Sequence, residues 1–213
     1  MDFSDYLSVW QLDPGISTRW DEGQLDWLDA TLAARKSVPH RLVSLHYNPW
    51  PAGRRVMASY YRDTQPVLCP ILEVRGVRLV LTGHDHVLSK SVPITGGSYL
   101  AGGESGLDPE NGVVYIGSGP GGASPRSGRN PHTKWWIEDS KASEWKHYDF
   151  EVDPANPMWD ERRDPHPADG TTFSAEEVWH FWEIDLTKEG RTVRAVDYRG
   201  GIWKEFSQPV DPS

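Results

Sequence analysis

Cysteine is almost missing from this sequence: Cys69 is the only one in 213 residues. A single thiol makes no internal disulfide and no cysteine-rich zinc module, and it leaves the redox compartment open. Basic charge is also scarce, with 22 Lys and Arg against 31 Asp and Glu and a formal net charge of −9. No basic stripe is available to neutralise a nucleic-acid backbone or an anionic membrane, so neither is an expected partner. No apolar run is long enough to span a bilayer. The opening residues, Met1 to Trp10, lack the charged-then-apolar pattern of a secretory signal. What is plentiful is glycine (20), proline (17) and tryptophan (11). The first two imply many turns and long loops; the aromatics must be buried, which argues for a folded chain of about one domain.

The order of predicted elements is that of an α/β chain. Tyr6 to Leu12 reads as a strand ending at Asp13-Pro14-Gly15. Asp21 reads as the N-cap of a helix over Glu22 to Lys36, with Leu25, Leu28 and Leu32 on one face. Arg41 to His46 is a short strand, and a helical region broken by Pro66 and Pro70 follows between Met57 and Val74. Val77 to Thr82 is a buried strand running into Gly83-His84-Asp85-His86. Strand, helix, strand, helix, strand predicts a sheet covered by helices. Val87 to Ile94 and Gly112 to Ile116 read as further strands. Residues 1–123 thus form an α/β part, 124–175 an irregular Pro- and Trp-rich excursion, and 176–213 a set of closing strands: Val178 to Leu186, Thr192 to Tyr198 and Ile202 to Phe206.

Chemistry concentrates in histidines at strand ends, where loops aim side chains into a crevice. His84 and His86 are two apart, so in extended backbone both point the same way and Asp85 points opposite. Two imidazoles on one side of a strand end make a metal grip for Zn, Fe, Mn or Cu, or else two hydrogen-bonded histidines in a turn. His46 also ends a short apolar strand. If the two strands are neighbours, His46, His84 and His86 converge on one crevice. His132, His147, His166 and His180 share no spacing logic and read as ordinary. Trp135, Trp136, Trp145, Trp159, Trp179 and Trp182 crowd the C-terminal part and read as packing rather than a stacking platform.

With these residues in view, the chain resembles the C-terminal half of a calcineurin-like metallophosphoesterase, above all the purple acid phosphatase branch. Gly23-Gln24-Leu25-Asp26-Trp27-Leu28 resembles the family's helix after its central strand. Ser44 to Trp50 (SLHYNPW) resembles the motif supplying a metal-binding histidine, and Val80 to His86 (VLTGHDH) matches the final GHxH motif. Gly112 to Gly122 and the strands from His180 to Phe206 are similar to the later strand, glycine-rich loop and closing hairpin. The resemblance implies part of a four-layer α/β/β/α sandwich with the N-terminal half missing. It implies metal-dependent hydrolysis of a phosphate ester, with divalent or trivalent Fe, Zn or Mn as cofactors, dinuclear in the family. His46 and His84 would ligate one ion and His86 the other. Related phosphatases are often exported.

The sequence also departs from the family. The early aspartate motif, the GDxx[DY] motif and the Asn-His motif are not found, and only Met1 to Asp5 precede the first matched segment. Carboxylates supply most of the charge that holds two hard cations together, whereas three neutral histidines can hold a single Zn²⁺. The expectation is therefore a fragment, a site completed by a missing N-terminal half or partner chain, or a non-catalytic domain with a vestigial or single-metal site. The further histidine that the phosphatase branch tends to place shortly after the first metal-binding one is replaced by a stretch containing Arg54 and Arg55. These either bind a phosphate oxygen or stand as solvated surface arginines. Gly117 to Ala123 fits the GxGxxG pattern of dinucleotide sites, but Pro125, Gly128 and Pro131 prevent the helix that such a site needs. A tight loop is the expectation there.

Overall fold

The computed structural model describes residues 1–13, 20–49, 59–84, 88–91, 93–95, 106–108, 110–118, 180–197 and 199–213. Its main sheet contains β1 (Asp2–Phe3), β2 (Leu7–Leu12), β3 (His40–Tyr47), β4 (Leu79–Gly83), β5 (Leu88–Lys90) and β8 (Val114–Ser118), in the order β1-β2-β3-β4-β8-β5. The four inner strands run parallel and the two edge strands antiparallel. Two short strands, β6 (Ile94–Thr95) and β7 (Gly106–Leu107), pair with each other. A second sheet of β9 (His180–Leu186), β10 (Gly190–Asp197) and β11 (Ile202–Pro209) is antiparallel, in the order β11-β10-β9. The fold is therefore mixed α/β, as the alternation of elements predicts.

Strand periodicity divides the core into two clusters. On one face of the main sheet Trp10, Leu12, Val43, Leu45, Val80 and Tyr115 pack against Leu28 and Leu32 of α1 (Glu22–Ala34) and Leu68 and Leu72 of α2 (Ser59–Val74). On the other, the alternating residues Leu7, Val9, Leu42, Leu79, Leu81, Val114 and Ile116 pack against Trp182, Ile184, Val193 and Phe206 of the second sheet. Successive side chains on a strand point to opposite faces, so strands apolar at every position demand cover on both sides. Helices cover one side and the second sheet covers the other. Among the described residues no helix is long and apolar enough to cross a membrane.

Local signals account for the helix boundaries. The Asp21 carboxylate accepts from Gly23 N at 2.9 Å, the N-cap bond expected of that residue. The helix ends at Ala34, two residues before the expected limit at Lys36. The second helix differs more. Pro66 and Pro70 lie inside one continuous helix and do not break it. Both are exposed, whereas Thr64, Gln65, Leu68, Cys69 and Leu72 are buried. Two prolines four apart share one face. A helix tolerates proline on its solvent side, where a carbonyl that loses its donor is open to water instead of stranded in the core.

Other boundaries move by a residue or two. The stretch from Val87 to Ile94 is not one strand: β5 ends at Lys90, Ser91 intervenes, and Ile94 begins a different pairing. The hairpin strand β1 and the short β7 are additions that the sequence pattern does not reveal, because two-residue strands carry no periodicity. The 124–175 excursion, five of the six C-terminal tryptophans named above (Trp135, Trp136, Trp145, Trp159 and Trp179) and His132, His147 and His166 lie outside the described residues. Trp182 packs in the second cluster, and its Nε1 donates to the carbonyl of Gly117 at 3.1 Å.

Candidate metal centre

Adjacency of β3 and β4 is what brings the site together. The two strands pair in parallel, from Leu42 opposite Leu79 to Tyr47 opposite Gly83, so both finish at the same end of the sheet. His46 lies next to the last residue of β3, and His84 follows β4 directly. His84 Nδ1 and His46 Nε2 are 3.3 Å apart, with ring centroids at 5.2 Å and planes at 76°. The two nitrogens are within hydrogen-bond distance, with donor and acceptor set by the tautomers.

Neither histidine has regular strand geometry. The ladder slips between Leu45 and Tyr47, leaving His46 as the extra residue of a bulge. Bulges re-aim the side chain they carry, and His46 is exposed where an in-register residue would be committed to one face. His84 has φ of 63°. That is the left-handed region, which costs an L-residue about 1–2 kcal/mol and favours glycine. The extended-backbone premise, which would set His84 and His86 side by side, therefore does not hold at His84. A sparsely populated backbone conformation at His84, in contact with a bulged His46, is the pattern of a functional site.

The surroundings fix the two strand ends. Thr82 Oγ1 donates to the carbonyl of Ile116 at 2.9 Å, tying the end of β4 to β8. Beyond β3, Gln65 Nε2 donates to the carbonyl of Pro49 at 2.8 Å inside the protein, so α2 holds the loop that follows His46. Tyr47 completes the group, its ring centroid 4.8 Å from that of His46 and 4.4 Å from that of His84. Sequence reasoning assigns no role to Tyr47 or Gln65. A buried polar residue facing a strand end is the signal that singles out Gln65, and it becomes visible only with the burial pattern in hand.

The pair's spacing fits a metal ion. Two nitrogens each about 2.0–2.1 Å from a tetrahedral ion are about 3.3 Å from one another. The donor set is imidazole only: among the described residues no group of three or more His, Cys, Asp and Glu comes together. His86, the third expected ligand, lies outside the described residues, as do Arg54 and Arg55. The glycine-rich loop beyond Ser118 does too.

No protein-family model and no curated protein matches the sequence. In structure, the fold is similar to a purple acid phosphatase, PPD1, isolated from yellow lupin (Lupinus luteus) seeds, with a TM-score of 0.59 at 11% sequence identity. The match covers 98% of this chain and 32% of that one, so the chain spans about a third of the length of that protein. The likeness is one of fold.

Proposed function

We propose that this chain is part of a metal-dependent phosphoric ester hydrolase, with His46 and His84 as two ligands of one ion and His86 directed to a second. The observation that carries the reading is the 3.3 Å separation of His46 Nε2 and His84 Nδ1 at adjoining strand ends. The purple acid phosphatase fold neighbour supports it, as does the strained backbone at His84. In the complete protein the two sheets and their helices belong to a four-layer sandwich whose N-terminal half supplies the carboxylates that a dinuclear centre needs. A bound ion supplies Lewis acidity toward a phosphoryl oxygen. The chain's own residues orient that chemistry. Thr82 and Gln65 hold the strand ends, the bulge turns His46 outward, and Arg54 or Arg55 grips a phosphate oxygen.

A second reading has its own support. The described donors are two imidazoles without a gathered carboxylate, which suits a binding domain that keeps the scaffold with a single-metal or vestigial site. Elemental analysis of protein purified without chelators separates the readings, together with hydrolysis of p-nitrophenyl phosphate by wild type, His46→Ala and His84→Ala. Two metals per chain and hydrolysis lost in both variants support the hydrolase. One metal without hydrolysis supports the binding domain. Unchanged metal content in both variants overturns the ligand assignment.

A further inference from the structure

We propose that Tyr47 is a positioning residue: its ring is a wedge that holds the imidazoles of His46 and His84 at ligand spacing. The proposal builds on the reading of those histidines as metal ligands. Tyr47 touches both rings, edge-on to His46 at 80° and tilted against His84 at 52°. No other described residue has ring contacts with both.

The two histidines need such a wedge because their backbone does not fix them. His46 sits in a bulge with an exposed side chain, and His84 lies beyond the end of its strand in left-handed conformation. A rotamer change in either ring would carry its nitrogen out of the 3.3 Å arrangement. Tyr47, in contrast, is in ladder register with Gly83 and half-buried, so its ring is placed by the sheet. Gly83 lies on the same side, close to His46: a β-carbon there would stand in ordinary contact, 3.5 Å from His46 Nδ1. The ladder thus fixes Tyr47, and the Tyr47 ring fixes the two histidines that the ladder does not. Groups that orient ligands in this way typically change metal affinity about 10–100-fold when removed.

The test has one arm without metal and one with it. In metal-free protein, ¹⁵N-edited imidazole spectra report the tautomer of each histidine. Wild type and Tyr47→Phe should show one fixed tautomer each for His46 and His84, whereas Tyr47→Ala and Tyr47→Leu should show averaging. In the second arm, Co²⁺ is titrated and followed by its visible absorption. Tyr47→Phe should bind as wild type does, and Tyr47→Leu about 10–100-fold more weakly. Tyr47→Leu keeps apolar bulk, so it remains informative should Tyr47→Ala not fold. Fixed tautomers in Tyr47→Leu with affinity within twofold of wild type would overturn the wedge. So would a loss in Tyr47→Phe as large as in Tyr47→Leu, which would transfer the role to the hydroxyl. Failure of wild type to bind Co²⁺ would defeat the metal reading alone, because the tautomer arm still decides the wedge.

Discussion

Arg191 and Asp211 form an ion pair at 2.7 Å with both side chains wholly buried. The same carboxylate accepts the backbone N–H of Arg41 at 2.6 Å, so one side chain near the C-terminus ties β10 to the start of β3. Arg41, itself buried, reaches on to the carbonyls of Arg75 and Pro212. Burial lowers the pKa of the Arg41 guanidinium, and Asp211 opposes that shift. Asp211→Ala should therefore cost about 3–5 kcal/mol, because it strands a buried guanidinium rather than merely deleting a contact. Urea unfolding measures it; a loss below about 1 kcal/mol would show that the tail is no clamp.

At His84 function and stability should part. With φ at 63°, His84→Gly relieves a strain that His84→Ala retains. The glycine variant should be more stable than the alanine variant by about 1 kcal/mol, while both should lack the metal binding proposed for this residue. Paired thermal melts and Co²⁺ titrations read the two effects separately. An alanine variant as stable as the glycine variant would mean that the left-handed conformation carries no cost here.

The glycines divide sharply by what surrounds them. A β-carbon on Gly83 would meet nothing nearer than 3.5 Å, so Gly83→Ala should fold normally and keep the histidine pair. At Gly112 it would lie 2.4 Å from the carbonyl carbon of Pro93 and 2.6 Å from the carbonyl oxygen of Asp108, both backbone atoms. Gly112→Ala should thus cost several times more than Gly83→Ala, on the order of 3 kcal/mol. Comparable melting temperatures for the two would contradict this account of the β8 approach.

The pair Asp29–Arg75 links α1 to the residue that follows α2 through two bonds of 2.7 Å. The hydrogen bonds from Arg75 lower the carboxyl pKa of Asp29 below the ordinary carboxylate range, and the same bonds raise that of Arg75. A depressed carboxylate contributes stability that is present above about pH 4 and lost as pH falls through its folded value. Asp29→Asn should flatten the acid limb of the stability–pH profile below about pH 4, and 0.5 M salt should shrink the difference, since the pair is part-exposed. Identical acid limbs for the two proteins would remove the pair from the list of pH-sensitive contacts.

Much of the scaffold is legible along the chain because it is written in local periodicity. Leu28 and Leu32 mark the buried stripe of α1, Asp21 marks its start, and the apolar runs at β3, β4 and β8 mark strands that need cover on both faces. Pro66 and Pro70 mislead, because local sequence does not tell whether a proline faces solvent, where a helix tolerates it, or the core. The hairpin strand β1 is silent for the opposite reason, being too short to have a pattern.

The candidate site divides along the same line. The residue types and their places at strand ends, His46 after an apolar run and His84 after Leu-Thr-Gly, are properties of the sequence alone. Their contact at 3.3 Å across 38 residues, the bulge that turns His46 outward, the left-handed φ of His84 and the Tyr47 ring against both are properties of strand pairing. Hydrophobic patterning fixes which residues face a core, since that depends on neighbours one or two turns away. Which strand lies beside which, and at what register, depends on long-range packing, and a slip of one residue would send His46 to the other face of the sheet.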